Sequence, residues 1–129
     1  MPNRRVTFVD TKNGSDHTVR LSDRACAVFA SLGPKTQGPV FTYRGESIKS
    51  IKTAFNFARD KAGLPDVRFH DLRHTFASRL VQGGVSLYEV MHMTGHKSLS
   101  MVQRYSHLAP DYQEGPIEVL NRFGHNLGT

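Results

Sequence analysis

Hydrophobic and polar positions alternate loosely at the start of the chain. Residues 5–10, RVTFVD, and residues 17–21, HTVRL, are rich in β-branched side chains, as strands usually are. Between them, Asn13-Gly14 supplies the residue types that accept the positive φ angles of a tight turn. The pattern therefore predicts two antiparallel strands with Lys12 at the tip of the hairpin. Residues 40–42 could form a further short strand.

From residue 22 onward, apolar side chains recur at steps of three and four, the period of an α-helix. Ser22 is suited to cap the first helix, which should end at Gly33-Pro34. Ser47 is suited to begin the second helix, which Gly63 and a nearby proline should close. The apolar stripe of the second helix is Ile48, Ile51, Phe55 and Ala58.

The run FHDLRHTFASRLVQGG predicts a third helix, with Gly83-Gly84 at its end. Leu72, Phe76 and Leu80 recur along it at helical spacing, and we expect this stripe to face a core.

Three shorter helices should follow. Ser86 and Glu89 have the spacing of a capping box for a helix that ends at Gly95. Ser98 could cap a helix that leads toward Tyr105. A last amphipathic helix, with Ile117, Leu120 and Phe123 on one side, should run from Pro116 to Gly124 and dock on a core.

These elements predict a mainly α fold with a small antiparallel β-hairpin at its N-terminal end. The length of 129 residues suits one domain. We divide it into a hairpin (residues 5–21), a helical part (22–107) and a C-terminal tail (108–129).

The composition is that of a globular protein with a basic surface. Seventeen Lys and Arg residues against eleven Asp and Glu give a formal charge of +6. This excess favours a polyanionic partner, most simply nucleic acid, although an anionic membrane surface would satisfy the same charge. A single cysteine, Cys26, allows no internal disulfide, and no segment has the pattern of a membrane span or a signal peptide. We therefore expect a cytoplasmic protein.

Two histidines and an arginine lie close together in the third predicted helix. His70 and Arg73 are three residues apart, so a titratable imidazole and a fixed cation could serve one anionic phosphate, although a solvated surface pair has the same spacing. His70 and His74 have the spacing of helical zinc ligands. The residue after the first His is Asp71, however, where a zinc hydrolase needs Glu, and no third ligand is apparent.

Tyr105 is the candidate nucleophile. A tyrosine usually packs with its hydroxyl bonded, and nucleophilic work requires cationic or basic neighbours. Arg104 precedes it in sequence, and His96 follows a glycine that should release the backbone from a helix.

In this order, the pieces resemble the catalytic half of the tyrosine recombinases, the phage integrase family. The likeness rests on His70-Asp71-Leu72-Arg73-His74-Thr75, on Thr94-Gly95-His96, and on Tyr105 within Gln103-Arg104-Tyr105-Ser106-His107, together with the hairpin that carries Lys12. Thr94 departs from the Leu that the family usually has before Gly-His.

The resemblance implies site-specific recombination of double-stranded DNA through a 3′-phosphotyrosyl intermediate. Tyr105 would attack the phosphodiester, while Arg73 and His96 would hold the non-bridging oxygens. His70 would help to move the tyrosine's proton, and Lys12 would protonate the leaving oxygen. Neither a metal nor another cofactor is implied, and the C-terminal tail could join protomers on DNA.

One part of the family pattern has no match. An earlier arginine, in a Gly-Leu-Arg-like box before the hairpin, is absent from these 129 residues, and so is a DNA-clamping domain. The chain therefore looks like the C-terminal part of an integrase catalytic domain, expected to bind DNA but to cleave it poorly by itself. Two alternatives stay open: a non-catalytic nucleic-acid-binding module, and a metal hydrolase that uses His70 and His74.

Overall fold

A computed structural model describes residues 3–9, 11–12, 14–33, 35–110 and 114–126. The chain divides into two compact units, Met1–Asp71 and Leu72–Thr129. The single domain expected from the length stays a prediction. Three residues named above, Asp10 at the end of a predicted strand, Asn13 in the turn and Pro34 after the first helix, lie outside the described residues.

The first unit begins with the predicted hairpin. Strand β1, Arg5–Phe8, pairs antiparallel with β2, His17–Arg20. In the connection, the Gly14 amide donates to the Thr11 carbonyl over 2.8 Å, and the Thr11 hydroxyl donates to the Ser15 carbonyl over 2.6 Å. Gly14 has a φ of 71°, which a residue without Cβ adopts at little cost. The hairpin is confirmed, with shorter strands than predicted.

The first helix follows the prediction. Helix α1, Asp23–Ser31, begins at Ser22, whose hydroxyl accepts from the Ala25 amide over 3.2 Å. This contact satisfies one of the amides that a helix start leaves without a partner. Gly33, with a φ of 77°, lies just past the end of the helix.

A second hairpin occupies the place where a single short strand was predicted. Strand β3, Thr42–Tyr43, pairs with β4, Glu46–Ser47, around a turn in which Arg44 and Gly45 have φ angles of 52° and 80°. Positive φ at both central residues is the mark of a type I′ hairpin turn. The predicted helix start at Ser47 is therefore wrong, because Ser47 belongs to β4. Helix α2 is Lys52–Lys61.

Three α-helices and a 3-10 helix follow. These are α3 (Asp71–Gln82), α4 (Leu87–Thr94), α5 (Leu99–Val102) and the 3-10 helix Gln103–Leu108. Ser86 caps α4 by accepting from the Glu89 amide over 3.3 Å, and Gly95 ends α4 in the left-handed conformation. Ser98 precedes α5 but makes no side-chain cap hydrogen bond.

The last helix is longer than predicted. Helix α6, Glu114–Asn126, begins before Pro116 and continues through Gly124. Its apolar side chains Ile117, Leu120 and Phe123 are exposed on this chain. The amphipathic helix is confirmed, whereas its docking on a core stays a prediction.

The core of the second unit is small and well defined. Its buried side chains are Ala77, Val81, Val90, Val102 and Tyr105. The stripe predicted to face the core is wrong for Leu72 and Phe76, which are 53% and 42% exposed, whereas Leu80 is partly buried and packs against the core. Small residues one turn apart form the covered face of α3 instead, and small contact residues let helices approach closely. Periodicity judged on large side chains therefore identified only the edge of the covered face, at Leu80.

The expected fold class, mainly α with small antiparallel sheets, is confirmed by these elements. Within the described ranges, no helix has both the length and the apolar character that crossing a membrane requires.

Candidate active site

Tyr105 lies in the 3-10 helix Gln103–Leu108 and is only 5% exposed. Its ring belongs to the core of the second unit. Its hydroxyl oxygen lies 2.5 Å from Nδ1 of His74, which is on α3. The phenol is therefore held at its polar end by an imidazole and along its ring by apolar side chains.

His74 reaches Tyr105 because of its position on α3. It lies three residues before Ala77 and seven before Val81, and these are the two fully covered residues of the helix. Residues at such steps share one helix face. From the sequence, His74 was expected to be a possible metal ligand and part of the family motif, with no role beside Tyr105. The spacing to two small apolar residues was the signal that could have placed it on the covered face.

Arg73 precedes His74 and is partly buried. It lies four residues before Ala77, so its side chain starts from the covered face of α3. Its Nε is buried, and among the described residues no acceptor lies within hydrogen-bond reach. A buried N–H without an acceptor costs stability, so such groups are uncommon in folded proteins.

His96 follows the left-handed Gly95 and remains tied to the end of α4. Its backbone amide donates to the Met91 carbonyl over 3.1 Å. Its Nδ1 contacts the hydroxyl of Thr94, which also lies 2.8 Å from the Val90 carbonyl. The hydroxyl has one proton, so donation to the carbonyl leaves it to accept from Nδ1–H of His96.

Arg104 places a cation near the tyrosine. Its guanidinium carbon lies 5.6 Å from the centroid of the Tyr105 ring. A cation over an aromatic face is attracted to the ring, and the attraction grows if the ring gains negative charge.

Lys12 and His70 belong to the first unit. Lys12 is exposed in the connection of the first hairpin, as predicted. His70 lies in the turn immediately before α3 and is exposed, rather than within the helix as the His-x-x-Arg spacing suggested. Arg73, His96 and Tyr105 belong to the second unit. The convergence of all five on one site stays a prediction.

The possible metal site is also addressed by the geometry. Among the residues that the structure describes, no cluster of three or more His, Cys, Asp or Glu side chains could hold a metal ion. His74, one of the two histidines considered as ligands, contacts the Tyr105 hydroxyl through Nδ1.

The first unit contains a basic cavity of about 690 Å³. Apolar residues at the start of α2 contribute to its wall, and its basic side chains are Lys49, Lys52, Arg59 and Arg68. Arg59 pairs with Asp60 at 3.0 Å, and Arg68 lies 3.6 Å from Asp71. Lys49 and Lys52 have no such ion pair among the described residues.

Two solved structures share this fold. The superposition with the catalytic domain of bacteriophage HP1 integrase covers 90% of this chain and 64% of the integrase chain, with a TM-score of 0.70 and 28% identity. XerA recombinase matches 94% of this chain and 46% of its own, with a TM-score of 0.65 and 24% identity, which shows the fold alone. The fold is therefore that of the matched part of an integrase catalytic domain.

The phage integrase family model matches residues 1–111. The chain belongs to the phage integrase family, as the resemblance implied.

Curated relatives carry the same family names. The integrase of Salmonella phage P22 is 37% identical over 126 residues, covering 84% of this chain and 33% of the relative. The shufflon-specific DNA recombinase of Escherichia coli is 35% identical over 100 residues, which are 77% of this chain and 25% of the relative. Tyrosine recombinase XerC of Bifidobacterium longum strain DJO10A is 40% identical over 67 residues, which are 52% of this chain and 17% of the relative. The chain thus spans a third or less of the length of these relatives.

Proposed function

We propose that this chain carries out the chemical step of site-specific DNA recombination, with Tyr105 as the nucleophile. Family membership supports the reaction class, because the related integrases and recombinases break and rejoin DNA. The observation that carries the proposal is the buried Nε of Arg73, which has no acceptor among the described residues. A phosphodiester oxygen is the kind of acceptor that a guanidinium binds best.

The proposed reaction exchanges one phosphoester for another. The Tyr105 hydroxyl oxygen bonds to phosphorus, the bond from phosphorus to the 5′-oxygen breaks, and the chain becomes linked to a 3′-phosphate. The phenol loses its proton and the departing 5′-oxygen gains one. Attack by a 5′-hydroxyl on the phosphotyrosine reverses these changes, so rejoining requires no nucleotide cofactor.

The other residues have supporting roles. Arg73 and His96 stabilise the negative charge that builds on the non-bridging oxygens, as preorganised donors do in other acyl and phosphoryl transfers. His70 helps to move the proton of the phenol. Lys12 donates a proton to the departing 5′-oxygen, and its exposure in a hairpin connection suits a group that reaches DNA from outside.

The partner is double-stranded DNA, and the charge of +6 supports this. The exposed apolar residues of α6 support a contact with a second copy of the chain through the C-terminal tail. The basic charge and the DNA partner fit a protein that binds DNA in the cytoplasm of a bacterium.

The test is covalent trapping. The chain is incubated with duplexes that carry a nick close to the scissile phosphate, so that the short cleaved strand diffuses away and cleavage becomes irreversible. Because the recombination site is unidentified, a pool with randomised sequence around the nick is used. We expect mass spectrometry to find a nucleotide on the peptide that contains Tyr105, and no adduct with Tyr105→Phe.

The matched control is Tyr88→Phe, which removes the hydroxyl of an exposed tyrosine on α4. It should form the adduct as the unaltered chain does. No adduct from any chain, or an adduct on another residue, would contradict the proposal.

A non-catalytic DNA-binding module is the second candidate. The 5% exposure of Tyr105 favours it, because a largely buried phenol has little access to a phosphate in the free chain. Salt-dependent DNA binding without any covalent adduct would select this function.

The rate of the chain alone is expected to be low. Within these 129 residues, Arg73 matches one of the two arginines of the family pattern and nothing matches the other. Loss of one preorganised donor typically costs roughly 3 to 4 kcal/mol, or 10² to 10³ in rate. A longer chain that includes the family's earlier arginine should therefore form adduct faster, and equal rates would contradict this expectation.

A further inference from the structure

We propose that His74 is the positioning residue of the nucleophile: its Nδ1 accepts the hydrogen bond of the Tyr105 hydroxyl. This inference rests on the proposed function, since it concerns the same tyrosine. His74 is distinct from His70, the histidine proposed to move the proton of the phenol. Before the structure, His74 was considered as a metal ligand.

The contact joins two elements that are distant in sequence. His74 is on α3 and Tyr105 is on the 3-10 helix, 31 residues later, and the two polar atoms lie 2.5 Å apart. The side chains around them, Ala77 and Val81 on α3 and Val102 on α5, are buried and apolar. A hydrogen bond is stronger in a buried, apolar surrounding than in water, so this contact helps to determine where the phenol oxygen lies.

The direction of the bond depends on which ring nitrogen of His74 carries the proton. A neutral imidazole with its proton on Nε2 accepts at Nδ1, whereas an imidazolium donates there. The guanidinium of Arg104 already lies 5.6 Å from the centroid of the Tyr105 ring, and a neutral His74 adds no further positive charge beside it. A phenol is also a better donor than acceptor, so the Tyr105 O–H points at Nδ1.

This direction suits a nucleophile. The proton of the phenol points toward a base, and the oxygen's lone pairs remain available for phosphorus. Without His74, the hydroxyl would turn freely or lie unpaired in an apolar surrounding, and fewer encounters with DNA would begin from a productive geometry.

The first test measures the bond directly and needs no DNA. Nitrogen-15 NMR of histidine-labelled chain, at a pH where imidazoles are neutral, distinguishes a protonated ring nitrogen from an unprotonated one. We expect the signals of His74, assigned with His74→Asn, to show a proton on Nε2 and none on Nδ1. A proton on Nδ1 would overturn the proposed direction and with it the proposal.

The second test measures the consequence by covalent trapping with the randomised nicked duplexes. His74→Asn keeps a polar atom near the place of Nδ1, whereas His74→Leu removes it. We expect the Leu variant to lose about fivefold in the rate of adduct formation, the equivalent of one hydrogen bond, and the Asn variant to recover most of that loss. Circular dichroism checks that both variants fold.

The matched control is His107→Leu, an exposed histidine on the same 3-10 helix, which should leave the rate unchanged. Adduct formation by His74→Leu at the rate of the unaltered chain would overturn the positioning role and leave the proposed function intact. The same holds if the Asn and Leu variants are equally slow, since packing alone would then explain the loss. Absence of adduct from the unaltered chain would overturn both proposals.

Discussion

The hydroxyl of Thr94 contacts Nδ1 of His96 and, over 2.8 Å, the carbonyl of Val90. One threonine thus connects the imidazole to the last turn of α4. The resemblance to the family led us to expect a leucine at this position, and a leucine offers no hydroxyl. The departure noted in the sequence therefore gives this chain a hydrogen bond that orients the ring.

Replacing this threonine tests the connection. Thr94→Val keeps the shape of the side chain and removes the hydroxyl, so the His96 ring loses the contact that orients it. We expect the activation free energy to rise by about 1 kcal/mol, the net value of one hydrogen bond, so that the rate of adduct formation falls roughly fivefold. Thr53→Val, at an exposed position of α2, is the matched control. Equal rates for both variants would show that His96 needs no such contact.

The cap of α4 should contribute measurably to stability. Ser86→Ala removes the hydroxyl that accepts from the Glu89 amide, and we expect a loss of about 1 kcal/mol in the free energy of unfolding. Urea denaturation followed by circular dichroism measures it. Ser98→Ala is the control, because Ser98 lies at the start of α5 without a side-chain cap bond. A larger loss at Ser98 than at Ser86 would contradict the capping argument.

Local signals explain which elements were predicted correctly. Ser22, Ser86 and Gly95 each act within one turn of chain, so their residue types were sufficient to place helix ends. The Arg44-Gly45 turn was missed because arginine rarely adopts a positive φ, and its sequence carries no usual hairpin signal. Without that turn, Ser47 resembled a helix cap.

The candidate site was likewise predictable where it depends on short sequence motifs and unpredictable where it depends on contacts between distant residues. The order of the motifs singled out Arg73, His96 and Tyr105, because each motif is a short run of sequence. The contact of His74 with Tyr105 spans 31 residues, so helical spacing could place His74 on the covered face of α3 but could not identify its partner. The covered face of α3 was likewise missed, since it depends on which small residues a neighbouring helix meets.

The basic cavity of the first unit should contribute to DNA binding. Lys49 and Lys52 line it, and each could neutralise one phosphate. Each phosphate contact contributes about 0.9 to the slope of log affinity against log salt. We therefore expect Lys49→Gln with Lys52→Gln to reduce that slope by about 2, measured by fluorescence anisotropy with a labelled duplex at several salt concentrations.

The control for this change is Lys61→Gln. Lys61 is on the same helix, α2, but does not line the cavity, and it lies against the ring of Phe57. Its replacement should alter the slope by less than the double substitution does. Identical slopes for all three chains would exclude the cavity from the DNA contact.

Arg73 should lower the free energy of unfolding of the free chain and, in the proposed reaction, speed adduct formation by binding the phosphate. Its Nε is buried without an acceptor among the described residues, and such a donor carries a desolvation cost of about 1 to 3 kcal/mol. Arg73→Met keeps a long flexible side chain and removes the donor. We expect this variant to unfold at an equal or higher urea concentration than the unaltered chain and to lose adduct formation by about 10² or more. Arg79→Met, at an exposed position of the same helix, should change neither quantity appreciably. If Arg73→Met instead lost stability together with activity, the guanidinium would be a structural group with partners inside the fold, and its role in holding the phosphate would lose its support.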